Sequence, residues 1–292
     1  MQEKSTRQAI LLLVLANLLA SLSDVSLKVL NGEVPIFQYV FIRQVISFLF
    51  ILPLWIRLPK IKYKDGFDML TFWRAQFIVG GSACAMVAIT HLTLATANAM
   101  FYVAPLMMLP MSVFLLKETP PISKYIATGI GFIGVLIVLR PEQFHWAAIV
   151  ALGSALTVAF CNVFIRRIPA GQHLISTLFW TTVMTIPLAL ILAIPQWTDI
   201  SLTHVLWIVA INVFVLGYHA LVVIGYKKAD VSSIALAEYS GLAFVTIFGI
   251  MWFDEIPDLF TAIGILLIVI PMMPLPWKRW FTKSNVHPPE VP

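Results

Sequence analysis

Charge is scarce in this chain: Asp, Glu, Lys and Arg together make up 11% of its 292 residues. An ordinary soluble domain carries about 25%, so a soluble one- or two-domain protein is excluded. Cysteine is scarcer still. Cys84 and Cys161, the two present, rule out a disulfide framework or a cysteine-built metal centre. Each sits within an apolar stretch among small residues, where a lipid-embedded thiol is protonated and serves packing. Catalytic signatures are missing too: there is no His-Glu-x-x-His, no Gly-x-Ser-x-Gly, no paired-Asp motif of lipid-phosphate transferases, no Cys/His metal spacing and no Walker loop. An integral membrane enzyme is therefore the weaker class of function. No cofactor or metal is expected, and ATP drive would require another subunit.

What fills the chain is hydrophobic sequence, 60% by composition. A helix rises about 1.5 Å per residue and a bilayer core is about 30 Å thick, so roughly 20 apolar residues make a span. Ten stretches approach that length: 8–30, 36–56, 72–93, 97–116, 122–139, 146–165, 174–194, 204–224, 231–253 and 259–275. The expected fold class is an all-α polytopic membrane protein of ten transmembrane helices. The first stretch runs past Asp24 and Lys28 without a small-residue cleavage site, which reads as a retained helix and not a signal peptide.

The net charge of +5 does not point to nucleic acid, because the basic residues sit in the connectors. Lys4, Arg7, Arg57, Lys60, Lys62, Lys64, Arg74, Lys117, Lys124, Arg166, Arg167, Lys227, Lys228, Lys278, Arg279 and Lys283 lie at the N-terminus or on even-numbered connectors. These are sixteen of the nineteen Lys and Arg; Arg140 is alone on the odd connectors, and Lys28 and Arg43 lie within spans. Under the positive-inside rule both termini are cytoplasmic. The expected location is a cell membrane, a bacterial inner membrane, with lipid as the surroundings. Most tryptophans (Trp55, Trp73, Trp146, Trp252, Trp277, Trp280) fall at span ends, where amphipathic rings prefer to sit.

Sliding the chain on itself by 137 residues lays Tyr102 on Tyr239, Glu118 on Glu255 and Pro120 on Pro257. One more residue lays Asp24-Val25-x-x-Lys28 on Asn162-Val163-x-x-Arg166. The expected organisation is two five-helix repeats, 1–141 and 142–280, with a short cytoplasmic tail at 281–292. Five is odd, so the halves would enter the membrane from opposite sides, and such inverted repeats support alternating access to a central site. Small-residue ridges, Gly80, Cys84 and Ala88 with Gly81 and Ala85, and Gly131 with Gly134, would let helices approach closely.

Several sequences resemble the EamA family of the drug/metabolite transporter superfamily. They are Ser23-Asp24-Val25-Ser26-Leu27-Lys28, Phe41-Ile42-Arg43, Leu116-Lys117-Glu118-Thr119-Pro120 and the glycine-bearing 131–137. In the second half they are Gly225-Tyr226, Ala237-Glu238-Tyr239-Ser240 and Phe253-Asp254-Glu255-Ile256-Pro257-Asp258. Where the family often has Gly before the connector glutamate, this chain has Lys117 and Asp254. The resemblance implies a ten-helix secondary carrier. Its second half resembles S-adenosylmethionine and riboflavin carriers.

An ionisable group in hydrocarbon costs about 2.5–3.5 kcal/mol on insertion scales, so each should meet a partner or a cavity. Asp24 and Arg43 lie at similar depths and could pair with each other or with substrate. Lys28 is one turn above Asp24, and could equally snorkel to the interface. His91, Asn98 and Tyr102 complete this outer set. The inner set is Asn162, Arg166, Tyr218, His219, Glu238 and Tyr239. Glu238 is two turns into its span with no Lys or Arg in helical reach, which favours a cavity-facing role in substrate or proton binding. His91 and His219 could be packing histidines, Arg166 a topology anchor. Trp180, deeper than the other tryptophans, could stack on a ligand, although packing against lipid or a helix is the favoured reading.

The leading expectation is a secondary transporter of a small polar or amphipathic metabolite, with mixed charges favouring an amino acid or amino-acid derivative, coupled to protons or exchange. The alternatives are an uptake carrier for a vitamin, nucleoside-like cofactor or carboxylate; a channel, an enzyme and a homodimer also stay open. Topology is testable directly: single cysteines at 32 and 199 should react with an impermeant maleimide in intact cells, and those at 62 and 227 should not. Labelling at 62 or 227 would overturn the orientation.

Overall fold

The computed structural model describes residues 2–117, 122–139, 145–165, 172–226, 237 and 240–272. Every regular element among them is helical. In chain order these are α1 (Gln2–Val29), α2 (Ile36–Ile56), α3 (Met69–His91), α4 (Leu94–Phe101), α5 (Ala104–Leu116), α6 (Ile122–Leu139), α7 (Trp146–Ile165), α8 (Leu174–Ala193), α9 (Leu202–Tyr226), α10 (Ser240–Phe253) and α11 (Leu259–Val269). Seven helical segments, with α4 and α5 counted together over Leu94–Leu115, are long and apolar enough to cross a membrane. Three shorter apolar helices, Lys124–Leu139, Ser240–Phe253 and Leu259–Val269, fall where the other three spans were expected.

Capping sets several of the boundaries. The Asp68 side chain accepts from the Thr71 N–H and starts α3, Thr93 accepts from Thr96 and starts α4, and Asp258 accepts from Thr261 and starts α11; such caps satisfy amide hydrogens that the helix leaves without carbonyls. The fourth stretch, read in sequence as one helix over 97–116, begins earlier and is broken. The regular helix is interrupted by a tightened turn at Tyr102 and Val103, where the Val103 N–H bonds to the Met100 carbonyl (3.1 Å), before resuming at Ala104. Pro105 explains the resumption: it occupies the second position of α5, where a missing N–H leaves no hydrogen bond unmade.

The helices pair across the two halves of the chain. α1 packs along α9 and the start of α10, α3 along α7 and α8, α2 along α8 and α9, and α6 along α11. α4 and α5 pack on α7, and α4 also touches α10. Matching α1, α2, α3, α4–α5 and α6 in order with α7, α8, α9, α10 and α11, and then exchanging the halves, returns the same set of pairs. The largest buried apolar cluster, with Leu30, Tyr39, Met86, Ile89, Leu94, Met100, Ile208, Ile211 and Ile268, joins elements of both halves. The outer surface is apolar as well: Leu49 is 60% exposed, Phe114 82% and Met251 68%, a coat that suits lipid contact.

Close approach at glycine fixes two of these pairings. A Cβ on Gly134 would fall 2.7 Å from the Gly264 carbonyl, and one on Gly264 would fall 2.8 Å from the Gly134 carbonyl, so α6 and α11 touch backbone to backbone. Gly81 faces Thr157 of α7, and a Cβ there would overlap its side chain, whereas Gly80 has nothing within 4 Å. Of the glycines on the α3 ridge, then, Gly81 makes the contact. Gly264→Ala should destabilise the detergent-purified protein by about 1–3 kcal/mol, the usual range for overpacking, and Gly80→Ala should leave its melting temperature unchanged. Equal melting of the two variants would overturn this packing.

Candidate functional site

The two ends of the bundle are chemically unlike. At one end, the Gly32 face, lie Glu33, His91, His145, Asp199, His204, Asp254 and Glu255; at the other, the Lys62 face, lie Arg57, Lys60, Lys62, Lys64 and Lys117 with the carboxylates Asp65 and Asp68. Between them runs a polar column built on α1. The Asn17 side chain donates to the Ala237 carbonyl (2.9 Å) and to Ser240 Oγ (3.3 Å), and Ser21 Oγ donates to the Gly241 carbonyl (3.2 Å). A Cβ on Gly241 would sit 2.9 Å from the Tyr102 hydroxyl and 3.3 Å from Asn17 Oδ1. Gly241 thus lets α1, the α4–α5 break and the start of α10 converge. Asn17 and Ser21 were not among the residues singled out in the sequence, although a polar amide inside an apolar run was the available signal.

One turn further along α1, Asp24 accepts a hydrogen bond from Asn98 Nδ2 (2.9 Å), while the same amide reaches the Leu94 carbonyl (3.2 Å). The structure therefore brings Asp24 and Asn98 together, with Tyr102 one turn beyond Asn98. Arg43 is placed elsewhere. It donates from Nη1 to Ser82 Oγ of α3 (3.3 Å), and none of the described Asp or Glu residues forms an ion pair with it. Tyr39, 1% exposed, lies beside the guanidinium and within range of the Asp24 charge. The direct Asp24–Arg43 ion pair considered from the sequence is thus absent; each charge takes a neutral partner, because depth along a helix does not fix the direction a side chain takes around it.

Lys28 is held by three groups. Its ammonium pairs with the Glu255 carboxylate, donates to the Leu92 carbonyl (2.6 Å) and stands 5.6 Å from the centre of the Phe253 ring. The second Glu255 oxygen accepts from the Leu94 N–H (2.7 Å), an amide hydrogen of the first turn of α4. Glu255 is aimed by the turn before it: Asp254 has φ +54° and the Glu255 N–H closes onto the Gly249 carbonyl (3.0 Å), a helix-ending loop that usually uses glycine. Lys117, its counterpart under the 137-residue shift, also has φ +54°. The left-handed geometry is kept at both positions without glycine. With side chains 12% and 15% exposed, the Lys28–Glu255 pair clasps α1, the α3–α4 junction and the α10–α11 connector at the Gly32 face.

The remaining candidates are dispersed. His91 packs against Trp146 (5.0 Å between ring centres) and borders a cleft of about 350 Å³ with Asn31, Gly32, Met86 and Thr90. Asn162 Nδ2 contacts Met108 Sδ (3.8 Å). His219 stacks edge-on to Tyr218 (5.1 Å) and lies within electrostatic range of Arg43. Trp180 donates from Nε1 to the Tyr63 carbonyl (2.7 Å) and packs with Phe67, Trp55 and Phe179, which ties the α2–α3 connector to α8 at the Lys62 face, away from the column. Glu238, Tyr239 and Arg166 lie outside the described residues. Among the described residues no group of His, Cys, Asp and Glu could hold a metal ion.

A family model, that of the EamA-like transporter family, matches this chain twice, over residues 7–140 and 145–273. The chain belongs to the EamA-like transporter family. It is similar to a pseudopaline exporter of Pseudomonas aeruginosa (26% identical, 92% of this chain, 96% of the relative) and to an S-adenosylmethionine uptake transporter of Rickettsia prowazekii (23%, 92% of each). It is also similar to a riboflavin transporter of Vibrio cholerae (24%, 58% of this chain and 57% of the relative). A solved crystal structure shares the fold, with a TM-score of 0.55 at 18% identity over 97% of this chain and all of that one. This EamA-like chain is a multi-pass membrane transporter of small molecules and not an enzyme.

The clasp yields a double-mutant test. Lys28→Met and Glu255→Gln should each lower the melting temperature, because each leaves a mostly buried charge unpaired. The double variant should recover part of the loss, with a coupling of about 1–3 kcal/mol. Strictly additive losses would show that the two side chains do not interact in solution.

Proposed function

We propose that this EamA-like protein is a secondary carrier that moves an amino acid or a small amino-acid-derived metabolite by alternating access, with net movement coupled to protons or to exchange. The observation that carries this reading is the α4–α5 break, which lies beside Asn17, Asp24 and Asn98. From the start of α4 at Leu94 to the break at Tyr102 is about 12 Å at 1.5 Å per residue, well inside a hydrocarbon core about 30 Å thick. Broken helices at that depth are where carriers of inverted-repeat construction hold their substrates.

Two five-helix repeats of opposite orientation are part of the proposal. The helix pairing that survives exchange of the halves supports them, as do the matching left-handed residues Lys117 and Asp254. In such a carrier the Lys28–Glu255 clasp closes the Gly32 face, which we take as outward in a bacterial inner membrane, with both termini cytoplasmic. The names of two relatives, a pseudopaline exporter and an S-adenosylmethionine uptake transporter, support a small-molecule substrate and leave direction open. S-adenosylmethionine is itself an amino-acid derivative.

Counterflow tests the reading. Vesicles containing the purified protein, preloaded with one unlabelled member of a panel of the twenty amino acids, S-adenosylmethionine, riboflavin and short carboxylates, should transiently concentrate the labelled form of that member. An imposed pH gradient should drive net movement, and Glu238→Gln should lose this response while keeping exchange. Flux that neither saturates nor overshoots would make the protein a channel and overturn the proposal.

A further inference from the structure

At the depth of the α4–α5 break, α2, α3 and α9 bring together an unusual set of polar groups. Ser47, one turn after Arg43 on α2, donates to Asn212 Oδ1 of α9 (2.9 Å). At 1.5 Å per residue, Ser47 lies about 16 Å from the Gly32 end of α2, Ser82 about 14 Å from that end of α3 and Asn212 about 15 Å from that end of α9. Arg43, bonded to Ser82, reaches the same layer. Among the described residues, two hydrogen-bond donors in this layer find no acceptor: Arg43 Nε and Asn212 Nδ2, the latter on a residue 1% exposed. A half-buried guanidinium whose partners are the neutral hydroxyls of Ser82 and Tyr39, with no carboxylate of the described residues paired to it, is costly. The same is true of a buried amide N–H₂ with no acceptor.

We infer that Arg43 and Asn212 form an anion subsite between α2 and α9 that takes the carboxylate of the carried molecule; the inference rests on the carrier reading above. The charge matches: one guanidinium with one neutral amide suits a group of charge −1, and the planar fork of arginine fits two carboxylate oxygens. A phosphate, at about −2, would be left with excess charge. Ser47 and Ser82 position the two donors, Ser47 by holding Oδ1 of Asn212 so that Nδ2 points away from it. Asn212 is closed off in this conformation while Arg43 is part-exposed, so the anion meets Arg43 first and gains Asn212 as the site closes around it. The contact between α2 and α9 is slight beside those that α1 makes with α9 and α2 makes with α8, which lets this pair of helices part without breaking the larger interfaces.

The test pairs each of the twenty amino acids with its carboxamide, and S-adenosylmethionine with its decarboxylated analogue, as competitors of counterflow in vesicles of the full-length protein. Removing the carboxylate should weaken competition at least tenfold in the wild type, and in Arg43→Gln and Asn212→Leu the acid and its analogue should compete within about twofold of each other. Asn212→Asp is the variant that a merely structural role would not predict. Its built-in carboxylate should raise the melting temperature of the ligand-free protein, by supplying the anion that Arg43 lacks, and abolish exchange. Carboxylate-free analogues that compete as well as the acids would overturn the subsite while leaving the carrier standing, as would an Asn212→Asp protein that melts lower and still exchanges. Absence of exchange for every member of the panel would overturn the carrier reading and the subsite with it.

Discussion

Hydrocarbon offers no hydrogen bonds, and the rest of this structure depends on that. Backbone groups answer the constraint by forming helices, and side chains answer it by finding partners on other helices. Asn17 reaches the start of α10, Asp24 takes Asn98, Lys28 takes Glu255 and the Leu92 carbonyl, and Ser47 takes Asn212. Three of these four links join the first half of the chain to the second. A bundle held this way has its polar bonds where its halves meet, and the lipid-facing surface contributes none of the specificity. Apolar contact with lipid is much the same in any helix arrangement, so packing at small residues and these few polar links select one arrangement from many.

The same constraint explains what could be read from the chain and what could not. Span positions were legible because hydrophobicity is a property of a segment, and seven of the ten expected stretches recur as long apolar helices with ends shifted by a few residues. Asp24, Arg43, Lys28 and Asn98 were legible as polar groups within spans for the same reason. Their partners were not, since a partner depends on rotation about each helix axis, and one residue of rotation turns a side chain by about 100°. Asp24 and Arg43 share a depth and both lie near Tyr39, but they bond to different side chains, Asn98 and Ser82. Trp180, which packing suited better than ligand stacking because most such rings serve packing, does pack, but its partner, the α2–α3 connector that folds back to meet it, is a tertiary event that no local pattern encodes. The helix break at Tyr102 had a local cause in Pro105, but proline is tolerated within α2, α5 and α8 at Pro53, Pro110 and Pro187, so proline alone did not mark the break.

Lys117 and Asp254 give a second kind of lesson. Their left-handed backbone is one that glycine adopts most readily, and a residue with a side chain adopts it at a cost of about 1 kcal/mol or more. The turn at Asp254 persists because the Glu255 N–H is bonded on one side of the peptide and the Glu255 carboxylate is gripped on the other. Local strain is thereby offset by tertiary contacts, which is how backbone outliers survive at working parts of proteins.

The interruption at Tyr102 and Val103 leaves the carbonyl end of α4 and the amide end of α5 facing each other inside the bundle. Each such end behaves as about half an elementary charge, negative for the first and positive for the second. The two opposite partial charges stand only a residue or two apart and so form a short main-chain dipole, which side-chain substitution around it leaves in place.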